Sequence, residues 1–522
     1  MGIIPITGYF SYKNEAFRSF TKILKEKLFN KPESDTKKID PAMAILGPSI
    51  KVNHFKGNTK MKKVCVLGLG YIGLPTSIVL AENGFDVTGF DIDETKVAHI
   101  NNGDPVIEEP EIYEKLQIVL KYGTLKASTT MCKADYFIIA VPTPFRENPS
   151  TPNGEFYPEP DEGSDKKSDL SYVYSAAEFI SEVLEKGNTI LLESTIPVGA
   201  TKEVAQFIES KTGLKAGKDF YIAHCPERVL PGKIFKELIE NDRVIGGINY
   251  ESSCKASLLY HTFVTGTIHL TDDKTAEMVK LIENSSRDAQ VAFAHQIASM
   301  AQTQGINPYE VIELANKHPR VNILKPTCGV GGHCIAIDPW FLVESFPHNC
   351  DLIKMVRKTN DNRPKEVTTI IRDHIEKWET ESLKNCKVLL LGLTYKPDVD
   401  DLRESPALQI ATQMSSQKNI TVLVAEPNIK KQKLISLFPQ NATSVDQGIQ
   451  NADIIVYLVG HKRFKAIDKK LLKNKLILDF CGITYKEKFS NTKTEKNGML
   501  DFFITNYGNT NNCQNNNKEN IS

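Results

Sequence analysis

From Met61 onward, short apolar runs alternate with longer stretches whose apolar positions recur every three or four residues. Val64–Leu67, Asp86–Phe90, Tyr136–Val141 and Thr189–Leu192 are short and largely apolar. Runs of this kind read as strands buried on both faces, with the amphipathic stretches between them as covering helices. The pattern predicts an α/β fold with a doubly wound, mostly parallel sheet. It returns at Lys387–Leu391, Thr421–Val424, Ile454–Leu458 and Leu476–Asp479, which predicts a second Rossmann-like sheet. Between the two, residues 270–320 keep a helical period with no Pro or Gly before Gly305. That predicts a long helix in a central helical domain joining the two sheets.

The divisions follow. Residues 1–60 show no clean periodicity and read as an extension outside the fold. Residues 61–262 form the first α/β domain, 263–380 the helical domain and 381–490 the second α/β domain. Residues 146–168, rich in Pro, Asp, Glu, Gly and Ser, read as an exposed insertion. Residues 491–522, dominated by Asn, Thr and Lys, are too polar to order themselves.

Composition narrows the function classes. At 522 residues the chain exceeds a single core. Lys+Arg and Asp+Glu balance at 64 each, so nothing favours a nucleic-acid partner. No apolar run approaches the ~18 residues of a membrane span, and no secretory signal is visible. Ten scattered cysteines without a CxxC pair read as free thiols of a reducing cytoplasm, not as disulfides or a metal site.

Chemistry concentrates in two places. Gly68, Gly70 and Gly73 form G-x-G-x-x-G between a strand and a helix, and Asp91 closes the next strand. The glycines allow a tight turn, close approach of a pyrophosphate and close helix–strand packing. The carboxylate suits a ribose 2′-hydroxyl and repels a 2′-phosphate, which favours NAD over NADP. Thr143 and Thr195 follow buried strands at the edge where such sheets bind ligands, a place that turn capping explains equally well. Downstream, Cys334 follows Gly329, Gly331 and Gly332, and Asp338 stands four positions on. An unperturbed thiol is only about 3% thiolate at pH 7, and lowering its pKa by about 1.5 units needs roughly 2 kcal/mol. His333 and Lys280 are the cations expected to supply it. Lys280, Asn284, Arg287 and Asp288 share a polar helix stripe, which a solvated face would also produce.

These motifs resemble a known family. Gly68–Pro75, Ala140–Phe145, Glu193–Gly199, Cys225–Gly232, Asn241–Gly247, Asn316–Leu324, Gly329–Trp340, Gly392–Pro397 and Asp401–Pro406 occur in the order found in the nucleotide-sugar 6-dehydrogenases. The form Pro226-Glu-Arg-Val-Leu-Pro-Gly232 is similar to the acetamido-sugar members, nearest the branch acting on UDP-N-acetylmannosamine. The resemblance implies two NAD-dependent oxidations at C6 of a UDP-sugar, from alcohol to uronate, for surface polysaccharide. Members acting on UDP-N-acetylglucosamine or UDP-glucose are the nearest alternatives, and a non-catalytic nucleotide-sugar binder is a remoter one. It implies Cys334 as nucleophile, with Lys280, Asp338, Asn284 and Glu227 as its catalytic partners. It places Arg228, Val229, Lys280, Asn284, Arg287, His318, Arg320, Gly331, Tyr395, Lys396 and Arg403 around the substrate. It places Tyr71, Ile72, Asp91, Thr143 and Thr195 with the glycines around the cofactor. The long helix is expected to core a homodimer. The chain departs from the family at Pro326-Thr-Cys-Gly329, where relatives carry Pro-Gly-Pro-Gly. Cys328 is therefore expected to loosen the loop and stand as a second thiol near Cys334.

Overall fold

The computed structural model describes residues 61–145, 166–332, 334–417 and 420–486. The expectations for residues 1–60, for most of the insertion, for His333 and for the tail from 491 lie outside the described residues.

The first sheet contains β1 (Lys63–Leu67), β2 (Asp86–Phe90), β3 (Leu125–Ser128), β4 (Tyr136–Ile139), β5 (Thr189–Leu192), β6 (Tyr221–His224), β7 (Arg243–Gly247) and β8 (Ile268–Asp272). Its order is β3-β2-β1-β4-β5-β6-β7-β8. The first six strands follow the doubly wound nucleotide-binding order, which reverses between β1 and β4. Only the β6–β7 pair is antiparallel. The second sheet runs β10 (Thr421–Ala425), β9 (Lys387–Leu391), β11 (Ile454–Tyr457), β12 (Leu476–Asp479), all parallel, with its reversal between β9 and β11. Beyond their exposed first lysines, Lys63 and Lys387, the central strands β1 and β9 are buried because helices cover both faces.

Two long helices lie between the sheets and pack on each other, Asp273–Thr303 and Asp351–Ser382. Asp272 caps the first by accepting from Thr275 N at 3.0 Å. Gly305, at φ 65°, takes the left-handed conformation that ends it. The expected two-sheet architecture with a central helical layer holds.

The detail corrects the sequence reading at several points. The periodic stretch 270–320 begins inside β8 and resumes as a separate helix, Pro308–Ala315. The insertion is not exposed throughout: Ser168 is buried and its N–H donates to Glu344 at 2.9 Å. Cys328 does not loosen the loop. It is buried in the core of the second sheet, while Thr327 ties the loop to both long helices through His295 at 3.1 Å and Arg363 at 3.2 Å.

Candidate active site

The glycine turn is built to be filled by a ligand. Gly68 stands at φ 92°, and a β-carbon there would lie 2.7 Å from the Ala140 carbonyl oxygen. A β-carbon on Gly73 would sit 1.8 Å from the Gly68 oxygen. These two glycines are demanded by the protein itself. A β-carbon on Gly70 meets nothing within 4 Å, so that glycine faces open space. The helix Gly73–Glu82 begins at Ile72 with no side-chain cap; Leu74 N donates to the Gly70 carbonyl at 3.1 Å and Pro75 has no N–H, so what the turn offers phosphates is chiefly the positive end of the helix. Asp91 is buried at the end of β2 and accepts from Leu69 N at 2.9 Å and Lys96 Nζ at 2.9 Å. Thr143 and Thr195 are half-buried past the C-terminal ends of β4 and β5. The residues present fit a dinucleotide.

The thiol stands on a turn opening the helix Asp338–Ser345. Asp338 N donates to the Cys334 carbonyl at 2.8 Å, so the two residues share a helical turn as their spacing predicts. Across from them the long helix Asp273–Thr303 contributes Lys280 and Asn284. Asn284 Nδ2 donates to Asp338 Oδ2 at 2.5 Å. Lys280 Nζ donates to the Glu227 carbonyl at 2.5 Å, bringing in the loop after β6.

The charges in this cluster read one another. Burial pushes the Asp338 carboxyl up to about 6, although Lys280 and Asn284 oppose the shift. Burial likewise pushes Glu227 up to about 7 against the pull of Lys280. Burial alone would lower Lys280, but Glu227, Asp338 and Cys334 outweigh it and hold the ammonium above its usual range. The Cys334 thiol is pushed up to about 11, by burial first and then by Asp338, with Lys280 only partly compensating. This overturns the expected acidification. Burial and the two carboxyls together outweigh the pull of Lys280 and Arg403, which favours the protonated thiol at rest, with carboxylates nearby that can take its proton.

The second α/β domain closes over this loop. β-carbons on Gly331 would meet the Glu404 carbonyl oxygen at 2.4 Å and Tyr395 Cβ at 2.8 Å. Gly332 N donates to the Arg403 carbonyl at 3.2 Å. The Arg403 guanidinium lies 5.2 Å over the Tyr71 ring and is paired with Asp401 at 2.6 Å. Tyr71 therefore bridges the glycine turn and the second domain. Lys396 Nζ donates to the Pro231 carbonyl at 3.4 Å. Tyr71, Glu109, Tyr395 and Asp401 line a cleft of about 740 Å³ here.

Other expected residues are placed less simply. Arg228 is engaged by Glu283 at 2.7 Å and by the Asp242 carbonyl, and Val229 N donates to Glu227. Arg287, His318 and Arg320 are exposed, and among the described residues no hydrogen bond or ion pair joins them to Cys334, Lys280, Asn284 or Asp338. Asp288, from the same stripe as Lys280, belongs elsewhere: it is buried against Arg357 and Asn360 of the other long helix.

Sequence reasoning missed several supporting carboxylates. Glu109 accepts from Gly232 N and Ile234 N, both at 2.8 Å, and so fixes the loop that follows Glu227. Glu277 accepts from Gly199 N at 2.6 Å and Thr201 N at 2.7 Å, tying the long helix to the Thr195 loop. Their partners are backbone groups distant in sequence, a relation that no local motif encodes.

Comparison with known proteins accords with this geometry. The UDP-glucose/GDP-mannose dehydrogenase family matches in all three of its parts. Its NAD binding domain matches residues 62–264, its central domain 274–362 and its UDP binding domain 389–486. The chain belongs to this family and is an NAD-dependent nucleotide-sugar dehydrogenase. It is 43% identical over 431 residues to the UDP-N-acetyl-D-mannosamine dehydrogenase of Campylobacter jejuni, covering 81% of this chain and 100% of that one. It is 40% identical to the NDP-N-acetyl-D-galactosaminuronic acid dehydrogenase of Ralstonia solanacearum, covering 81% and 96%. The solved UDP-D-ManNAc dehydrogenase of Pyrococcus horikoshii is 38% identical, with a TM-score of 0.72 and 81% and 96% covered. Among the described residues no helix is long and apolar enough to cross a membrane.

Proposed function

We propose that this enzyme oxidises C6 of UDP-N-acetyl-D-mannosamine twice, giving the uronate, with Cys334 holding the half-oxidised sugar. The observation that carries the reading is the convergence of half-buried Cys334, Asn284 and Glu227 on the buried Lys280 and Asp338. NAD, when bound, supplies the acceptor for each hydride.

The protein's own groups do the rest. In the first oxidation a carboxylate or water takes the C6 hydroxyl proton as the carbon loses hydride. The resulting aldehyde has no hydride to give until a nucleophile adds to it. Cys334 sulfur bonds C6, and the thiol proton passes to Asp338 or Glu227, whose raised pKa values suit them to receive it near neutral pH. Lys280 and Asn284 face the developing oxyanion. Collapse of this thiohemiacetal expels the second hydride and leaves a thioester. Water cleaves it, the acid departs and the thiol regains its proton.

On this reading residues 61–262 carry the cofactor, 263–380 the nucleophile and 381–490 the UDP, with Tyr395, Lys396 and Arg403 closing on the substrate. Arg287, His318 and Arg320 then serve a second copy's site across a homodimer built on the long helix. The setting is cytoplasmic, supplying surface polysaccharide. The test offers purified protein the UDP derivatives of N-acetylmannosamine, N-acetylglucosamine, N-acetylgalactosamine and glucose. Two NADH per UDP-N-acetylmannosamine, with the highest kcat/KM in the set, is expected. Preference for another sugar would overturn the substrate assignment.

A further inference from the structure

The two α/β halves repeat the same hydrogen bonds at the turns after their first strands. Gly68 follows β1 at φ 92° and Gly392 follows β9 at φ 93°. Gly68 N donates to the Phe90 carbonyl at 2.8 Å, and Gly392 N to the Ala425 carbonyl at 3.0 Å. Leu69 N donates to Asp91 at 2.9 Å, and Leu393 N to Glu426 at 2.6 Å. The second carboxylate oxygen accepts from Asp93 N at 3.1 Å in one half and from Asn428 N at 2.7 Å in the other. Glu426 thus occupies the ribose-gripping position of a dinucleotide fold.

The halves then diverge. The side chain completing Asp91 is Lys96, a flexible and partly exposed ammonium. The side chain completing Glu426 is His461, wholly buried, with Nε2 at 3.0 Å from the carboxylate. His461 stands in the loop after β11 as Thr143 stands in the loop after β4. Its Nδ1 accepts from Asp398 N at 2.9 Å and faces Asn428 Nδ2 at 2.7 Å, and a backbone N–H can only donate. The proton is therefore on Nε2, pointing at Glu426. Thr394 Oγ1, 3.4 Å from the imidazole, donates to the Lys396 carbonyl at 2.9 Å. Asp398 is held at φ 61°, a left-handed conformation that needs such anchoring.

We propose that His461 is a positioning residue: it plugs the second half's ribose site and, through Asp398 and Thr394, fixes the loop that presents Tyr395 and Lys396 to the UDP moiety. The proposal rests on the assignment of Tyr395 and Lys396 to substrate and extends it. It makes the second half a mononucleotide site by filling its dinucleotide crevice with protein.

The test measures UDP and NAD binding to the full-length chain by calorimetry, for wild type, H461Q and H461N. Glutamine keeps the donor to Glu426 but loses the acceptor shared by Asp398 N and Asn428 Nδ2. Asparagine places an oxygen where Nδ1 stands. UDP affinity is expected to fall about tenfold in H461Q, the size of one lost buried hydrogen bond, and by under about threefold in H461N. NAD affinity is expected to stay unchanged in both. Unchanged UDP affinity in H461Q would overturn the proposal. So would a parallel loss of NAD and UDP binding, or equal losses in both variants, since either marks general packing. A wild type that binds UDP but does not oxidise UDP-N-acetylmannosamine would sink the substrate assignment and leave this inference standing.

Discussion

Asp338→Asn should push the chemistry of Cys334 in two opposite directions. The carboxylate is buried and is the largest charge holding the thiol up at about 11, after burial itself. Asparagine keeps the volume and removes the charge, so burial persists and the electrostatic part goes. Two charges about 5 Å apart at an effective dielectric near 20 interact by roughly 3 kcal/mol, an upper bound of about two pKa units. A drop of about one unit is the working expectation, because Lys280 and Asn284 already offset part of the field of Asp338, which is ionised at the pH of the assay. One unit multiplies the thiolate about tenfold. The intrinsic nucleophilicity lost with basicity returns about a factor of three of that gain. Alkylation of Cys334 by iodoacetamide at pH 8, followed by peptide mass mapping to separate it from the other cysteines, should therefore run about threefold faster in D338N. Turnover should fall by about 10²–10⁴, because a group that accepts the thiol proton during addition has gone. Faster labelling with slower catalysis is the signature. Slower or unchanged labelling would refute the view that Asp338 suppresses the resting thiolate, and unchanged turnover would refute its role as a base.

Three further outcomes follow from the same geometry. The acid limb of kcat/KM should rise with pH through apparent values of about 6 to 7, because Asp338 and Glu227 work deprotonated and both are raised; E227Q should leave a single limb near 6, measured as a pH–rate profile. Gly70→Ala should leave the melting temperature within a degree while raising the KM for NAD about tenfold or more, whereas Gly73→Ala should lower the melting temperature by several degrees, because only the second β-carbon overlaps backbone. Arg357→Met strands the buried Asp288 carboxylate and should cost about 3–5 kcal/mol in urea unfolding; a loss under 1 kcal/mol would show that the pair is dispensable.

What the sequence revealed depended on how far each element obeys a local rule. The central strands are buried on both faces and mostly apolar, so β1, β2, β4 and β5 were legible, as were all four strands of the second sheet. β3 and β8 lie at sheet edges, with polar side chains on their exposed faces. β6 and β7 carry His224 and Arg243 inside the protein, where burial depends on distant partners that no window of sequence contains. The helix Asp351–Ser382 hid behind a polar composition and an internal proline, Pro364, whose ring packs toward Gly329 of the thiol loop. Within the site, the fold brings Cys334, Lys280, Asn284 and Asp338 together. The sign of the thiol shift is not legible in a motif because it depends first on burial and then on the sum of surrounding charges: Lys280 lowers the Cys334 pKa, but burial, Asp338 and Glu227 raise it further.

The most direct test follows the sulfur itself. Full-length enzyme turning over UDP-N-acetylmannosamine with NAD would be quenched in acid on the millisecond scale, and the peptide carrying Cys334 weighed. The account predicts a transient increase equal to the acyl sugar nucleotide, removable by hydroxylamine. A Cys334 peptide that stays unmodified while two NADH form per sugar would contradict it.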